Sequence, residues 1–338
     1  MVTGIIFFTF AFMLATRTVI PPHSSTPSEE VLPLPAVDAV PEHPSALSLP
    51  PAIPSPSLVF LLYQLLPLAL LSTLWGWAAS LPLPAPFDRL SVWLYATVAK
   101  CNVQEAEHSD LGQYKTVSQF FTRRLRCGVR PVCPTSLVVS PADGTLTYSG
   151  PVEGQYLQQV KGVRYSLNTF LGVDLPSPPK DSMMALFQAV IYLSPSDYHR
   201  FHSPADWTIT HRRHFPGRLC SVSPKVVRAF PGLFHINERV VFSGRWHHGF
   251  FAMVAVGATN VGSIVADFDP DLKTNQSTGT DYKNKVEYEE PVNFRKGDDF
   301  GYFNFGSTIV LLFEAPTNSK LNYLEEVVKV KVGQGMLA

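Results

Sequence analysis

Apolar positions follow three arrangements along the 338 residues, and each predicts a different kind of structure. The first is continuous. Residues 58–79, LVFLLYQLLPLALLSTLWGWAA, run for 22 positions without a charge, which matches the ~20 residues a helix needs to cross a hydrocarbon core. Trp75 and Trp77 stand at its end, where aromatic side chains favour a membrane interface. This predicts one transmembrane helix over 58–79, kinked at Pro67; the same residues would also serve as a buried helix of a soluble core. The second arrangement has helical spacing. In PFDRLSVWLYATVAK, Leu90, Trp93, Leu94 and Val98 share a face, and TVSQFFTRRLR follows with aromatic and basic positions. A helical region over 85–133 is expected, lying on a membrane surface or facing a core. The third arrangement starts near residue 134. Short β-branched runs such as LVVSPADGTLTYSG, ALFQAVIYLS, ERVVFSG and STIVLLFEA alternate there with Gly, Pro, Asn and Asp. They predict a mostly antiparallel β domain over 134–338, with Asp269–Asp299 as a long polar loop. The expected fold class is therefore α+β.

Composition marks the boundary in front of these elements. Fifteen of the 30 prolines lie between Pro21 and Pro86, and proline both removes a backbone donor and breaks regular elements. Residues 1–57 are thus expected to hold a short apolar stretch, residues 4–15, and then an extended Pro-rich linker. The apolar stretch has neither the basic flank of a secretory signal nor the Arg-rich amphipathic character of a transit peptide, so these residues support no firm address. Lys and Arg total 27 against 27 Asp and Glu. A neutral chain argues against nucleic acid as a partner, because phosphate-backbone binding draws on a basic surface. Cys101, Cys127, Cys133 and Cys220 have neither metal-type spacing nor the density of a disulfide scaffold, and read as free thiols.

Three stretches carry candidate chemistry. SPADGTLT puts Asp143 in an Asp-Gly turn between two β runs, a dipeptide that ordinary hairpins also favour. SPSDYHRFHSPADWTITHRRHFPG holds His199, His202, His211 and His214 within sixteen residues. Its HxxH spacings suggest zinc, but on a strand such positions point to opposite faces, and no nearby carboxylate or cysteine completes a set. Metal is not expected. A histidine that titrates near neutrality is the more economical use of the patch. Arg212 and Arg213 beside it are candidates for a phosphate contact, or are plain surface charges.

The third stretch is FNFGSTIVLLFEAP, in which Gly306-Ser307-Thr308 interrupts an apolar run. A bulge or turn before a strand would account for it. The chain has no GxSxG elbow, no GxGxxG and no phosphate-cradling glycine loop. A serine activated by His and Asp could then act on its own backbone, attacking the carbonyl of Gly306, which lacks a Cβ and bends freely into the attacking geometry. The ester so formed can eliminate to dehydroalanine and, with loss of ammonia, become a pyruvoyl group. Such a ketone forms a Schiff base with an amine and draws electrons from it, as pyridoxal phosphate does.

SPADG, KGVRYSLNTFLG, YLSPSDYHRFHSPADW, RRHFPGRL, NERVVFSG, VGATNVGSI and FGSTIVLLFEAP occur here in the order found in phosphatidylserine decarboxylases. From about Phe87 to the C-terminus the chain resembles that family, most of all its animal mitochondrial type. The resemblance implies an Asp-His-Ser triad of Asp143, His202 and Ser307 that cuts between Gly306 and Ser307, with Ser307 becoming the covalent pyruvoyl cofactor. It implies His199 at the decarboxylation step, phosphatidylserine as substrate and phosphatidylethanolamine as product. It further implies that chains 1–306 and 307–338 stay associated at the mitochondrial inner membrane, with the catalytic domain in the intermembrane space, and it is compatible with a homodimer. Phe305 departs from the family, which usually has Leu there, and the first 85 residues match it poorly. A serine hydrolase acting on lipids and a non-catalytic lipid-binding protein are the alternative readings.

Overall fold

The computed structural model describes residues 68–337 apart from 161–162, 174, 176–182, 230–231, 260–262, 276–283, 305 and 324–326. The readings for residues 1–57, for 58–67 and for Phe305 lie outside the described residues. The strands are β1 (Val138–Val139), β2 (Gly144–Pro151), β3 (Tyr156–Val160), β4 (Val163–Ser166), β5 (Met184–Leu193), β6 (Arg200–His202), β7 (Trp207–Phe215) and β8 (Arg239–Trp246). They continue with β9 (Gly249–Gly257), β10 (Ile264–Ala266), β11 (Lys285–Phe294), β12 (Asp299–Phe303), β13 (Ser307–Pro316), β14 (Val328–Val330) and β15 (Gly335–Leu337). An eight-stranded sheet runs in the order β11-β7-β8-β9-β13-β5-β2-β14, and its pairings are antiparallel. A smaller sheet, β10-β12-β6, is a separate layer, and β1 pairs with β15. The mostly antiparallel α+β expectation holds.

The central strands read as unbroken apolar runs because both faces of the sheet are covered. Along β13, Ile309, Leu311, Phe313 and Ala315 enter a core shared with Phe201, Phe300 and Phe303 of the three-stranded sheet. Val310 and Leu312 enter the opposite core, which contains Phe170, Leu171, Leu233 and Phe234. Each such Val, Leu, Ile or Phe side chain contributes roughly 1.5–3 kcal/mol on full burial. Alternation along the strand also aims the chemistry. Ser307 has the parity of Ile309, so it is directed towards the layer carrying β6 and β12, whereas Thr308 is directed away from it.

Among the described residues, three α-helices precede the sheet: α1 (Leu68–Ala79), α2 (Phe87–Ala99) and α3 (Val117–Phe121). The expected transmembrane helix is not supported. Helix α1 covers Leu68–Ala79, and the remainder of the expected span, 58–67, lies outside the described residues. Among the described residues no helix is long and apolar enough to cross a membrane. Trp75 and Ala79 are instead buried with Val92, Tyr95, Ala96, Phe120 and Phe121. Helix α2 stops at Lys100, which adopts the left-handed conformation and donates its N–H to the last-turn carbonyls. Helix α3 starts where the Thr116 hydroxyl accepts from the Gln119 amide.

The polar stretch Asp269–Asp299, expected as a long loop, contains the edge strand β11 paired to β7. Pro291 and a break in register between Glu287 and Val292 hide its alternation, and an edge is where a sheet tolerates proline.

Candidate active site

The polypeptide converges on the Gly306-Ser307 peptide from several directions. Strand β5 ends at Leu193, the register partner of Ser307, whose other neighbour is Gly257 on β9. Beyond Leu193 the chain turns sharply. The Asp197 carboxylate accepts from the Ser194 amide at 2.8 Å and its hydroxyl at 2.7 Å, and the Asp197 N–H donates to the Ser194 carbonyl at 2.8 Å. The chain returns as β6, with His199 just before it and His202 at its end. The Phe303 N–H donates to the His199 carbonyl at 3.0 Å, so β12 runs beside this stretch and delivers Asn304 to the scissile region. Asn304 is clamped there: its N–H donates to the Ser263 carbonyl at 2.9 Å and its side-chain amide to the Ser263 hydroxyl at 2.7 Å. Gly306 then bends with φ +37°, in the region that favours glycine.

Ser307 is fully buried, and its Oγ has no hydrogen-bond partner among the described residues. His199 is fully buried too, under the Phe121 ring at a centroid separation of 4.0 Å. Its Nδ1 lies 2.9 Å from the Asp197 carbonyl, which accepts only from an N–H, so the neutral ring carries its proton on Nδ1. That leaves Nε2 with a bare lone pair, likewise buried without a partner among the described residues. Burial lowers the His199 pKa to about 4, against the opposing Asp197 carbonyl, so the ring is neutral at physiological pH. An unsatisfied buried polar group costs about 1–3 kcal/mol. Native proteins rarely carry two together without a reason in chemistry.

His202 is better connected. Its Nδ1 lies 3.1 Å from the Gly297 carbonyl and 3.2 Å from Asp299 Oδ1, and its Nε2 lies 3.2 Å from the Tyr198 hydroxyl. Burial lowers its pKa, with the Asp299 charge pulling the other way. Asp143 stands just before β2, near His202 through the backbone: the His202 N–H donates to the carbonyl of Pro141 at 2.8 Å. Its carboxylate, however, is held elsewhere. Arg130 Nε donates to its two oxygens at 2.9 and 3.2 Å, and the Val332 N–H donates to Oδ1 at 2.9 Å. Glu105 holds the same guanidinium at 2.6 Å.

The four expected site residues thus gather at one end of the large sheet. No hydrogen bond joins Asp143 to His202, or Ser307 to either histidine. The other two histidines serve elsewhere. His214 is buried against Glu238 at 2.8 Å, and His211 lies 3.7 Å from Glu287 near the sheet edge. Arg212 is buried in an ion pair with Asp269, which also accepts from the Tyr288 hydroxyl at 2.6 Å. It is therefore neither a surface charge nor open to a phosphate. The residues that composition and motif do not single out are Arg130, Tyr198 and Asp299. Asp299 left a faint trace in the Asp-Asp after Lys296-Gly297, whereas Arg130 left none, because its role depends on a contact made only in the fold.

Ser307, directly after Gly306 with its positive φ, and His199 each bury a side-chain polar atom that has no hydrogen-bond partner among the described residues. A family model described as "Phosphatidylserine decarboxylase" matches residues 117–338. The chain is 45% identical over 298 residues to "Phosphatidylserine decarboxylase proenzyme, mitochondrial" of Pongo abelii, covering 81% of this chain and 73% of that protein. It is 44% identical over 314 residues to the Rattus norvegicus protein of the same name, covering 86% and 75%. To "Phosphatidylserine decarboxylase proenzyme 1, mitochondrial" of Saccharomyces cerevisiae it is 34% identical over 366 residues, covering 82% and 73%. The chain belongs to the phosphatidylserine decarboxylase family.

Proposed function

We propose that this chain is a self-processing, mitochondrial phosphatidylserine decarboxylase whose precursor is cut between Gly306 and Ser307. The observation that carries the reading is the Ser307 hydroxyl, wholly buried, without a hydrogen-bond partner among the described residues, and directly after a glycine in the left-handed conformation. Family membership supplies the substrate class. In the processing reaction His202 Nε2 takes the Ser307 hydroxyl proton, and Oγ attacks the Gly306 carbonyl carbon. The Gly306–Ser307 C–N bond breaks as its nitrogen gains a proton, which leaves an ester. Loss of the Ser307 Cα proton and departure of the Gly306 carboxylate give dehydroalanine. Water then enters, ammonia leaves, and a pyruvoyl group caps residues 307–338.

The residues present suit that group, because the position it would occupy is closed to solvent and faces the layer bearing the two histidines. A pyruvoyl ketone supplies an electron sink for an α-amino acid. His199 has the matching state: its bare Nε2 accepts a proton from the substrate's ammonium and hands one back once CO₂ has left. The Phe121 ring keeps water from this imidazole. Asp143, locked by Arg130 and the Val332 N–H, adds a fixed negative charge beside His202 and favours the imidazolium that forms during attack.

The substrate stays in a bilayer, so the site must meet one. Leu74 and Trp77 on α1, with Phe87, Leu90 and Trp93 on α2, are large apolar side chains left exposed. They suit helices lying in the membrane interface. The decisive experiment is mass spectrometry of the wild-type protein. It should yield two chains, the smaller spanning 307–338 with a blocked, pyruvoyl N-terminus, while Ser307→Ala stays full-length. A processed Ser307→Ala, or an intact wild-type chain labelled at Ser307 by a fluorophosphonate, would overturn the reading.

A further inference from the structure

The carboxylate that touches His202 is Asp299, and not Asp143. The two residues form a cross-strand register pair between β6 and β12, and opposed side chains on an antiparallel pair share a face. Asp299 Oδ1 lies 3.2 Å from Nδ1, which also faces the Gly297 carbonyl at 3.1 Å. A carbonyl accepts only from an N–H, so this arrangement places the ring proton on Nδ1 and leaves the Nε2 lone pair to act as a base. At that Nε2 stands the Tyr198 hydroxyl, at 3.2 Å. The carboxylate itself is restrained, because Arg124 binds Asp299 Oδ2 at 2.7 Å and Arg200 approaches the same oxygen to 4.0 Å. Asp143 cannot take this part without leaving Arg130 and the Val332 N–H, which between them engage both of its oxygens.

We infer that Asp299 is a positioning residue for self-cleavage: beside the Gly297 carbonyl that sets the tautomer, its carboxylate holds the orientation of His202 and stabilises the imidazolium formed when Ser307 is deprotonated. The inference rests on the proposed function. It adds that the strand which delivers the scissile peptide also carries the group that orients the base, eight residues ahead of Ser307 (307 − 299).

The test is a processing assay on the full chain. Radiolabelled precursor is made by cell-free translation, shifted to a series of pH values, and followed on denaturing gels as the small chain appears. Asp299→Asn is expected to slow cleavage by about 10²-fold or more, within the range usual for loss of acid–base assistance. The acid limb of the pH–rate profile gives a second readout that a structural role would not move. Asp299, Asp143, Arg200, Arg124 and Tyr198 are the charged or titratable groups around His202. Removing one negative charge from that set makes the imidazole less basic, so the limb moves to lower pH. Asp299→Glu restores the carboxylate and should recover most of the rate with a limb near the wild-type position. Wild-type rate and an unmoved limb in Asp299→Asn would overturn the inference. If Asp299→Asn fails to fold, Asp299→Glu decides alone. A folded Asp299→Glu that cleaves as slowly as the Ser307→Ala background would also overturn it. If cleavage is lost in Ser307→Ala but wild type and all Asp299 variants cut at one rate, the proposed function stands while this role of Asp299 falls.

Discussion

His199 and Ser307 each bury an atom that has no hydrogen-bond partner among the described residues, and the two are expected to fail differently when changed. His199→Gln keeps an amide of similar reach but loses a titratable nitrogen. Its precursor should still cut itself, while turnover of phosphatidylserine in vesicles falls about 10²–10⁴-fold, the usual scale for loss of a general acid–base group. Failure of the variant to cut would exchange the roles given to His199 and His202. Gly306 makes a separate prediction. At φ +37° an alanine pays about 1–2 kcal/mol of backbone strain, so Gly306→Ala should process detectably more slowly in a time course of cleavage. At this scale the sequence names Ser307, Gly306 and the histidine pair as candidates, because their motifs lie in short contiguous words. It was blind to Arg130 and misjudged Arg212, because burial and ion pairing belong to the fold and leave no spacing in the chain.

The elements explain why a cut chain would hold together. The fragment after Gly306 has 32 residues (338 − 306) and contains β13, β14 and β15. Strand β13 lies between β9 and β5, β14 pairs with β2, and β15 pairs with β1. Cutting at the start of β13 breaks one peptide bond and none of these ladders. The two chains should therefore co-elute in gel filtration without denaturant and separate only on unfolding. Leu311 is fully buried in the middle of β13, and Leu311→Ala should lower stability by about 2–5 kcal/mol, read as a fall in Tm. The apolar words that predicted β5, β9 and β13 were clear because both faces of those strands are covered. Strand β11 was missed, since an exposed edge rich in glutamate and interrupted by proline has no hydrophobic signal to read.

At the scale of the molecule, helices α1 and α2 turn one face to the protein and leave another apolar face open. Replacing Trp77 and Trp93 with Glu should reduce co-sedimentation with phosphatidylserine vesicles severalfold, with self-cleavage retained. Acid sensitivity is a property of the whole fold as well. His199 is held neutral, with a pKa near 4 against about 6.5 when unfolded. The unfolded chain binds that proton more readily, so the stability linked to His199 is full above pH 6.5 and declines as pH falls towards 4. Tm measured from pH 7 to 4 should fall less steeply in His199→Gln than in wild type.

The sequence by itself determined the β-rich region and the family, and it marks Gly306-Ser307 as the candidate break, because apolar alternation and contiguous motifs are local properties of the chain. It predicts a membrane span over 58–79 that the described residues do not support: hydropathy cannot tell whether a long apolar word meets lipid or the protein's own core, and Trp75 and Ala79 meet the core. Only the tertiary structure decided which carboxylate stands at His202. Asp143 and Asp299 are far apart in the chain, and a spacing carries no record of which one an arginine has already claimed. Pairing between β6 and β12 places Asp299 against the imidazole, while Arg130 and the Val332 N–H draw Asp143 away. That choice is made by strand register and charge competition, both of which exist only once the chain is folded.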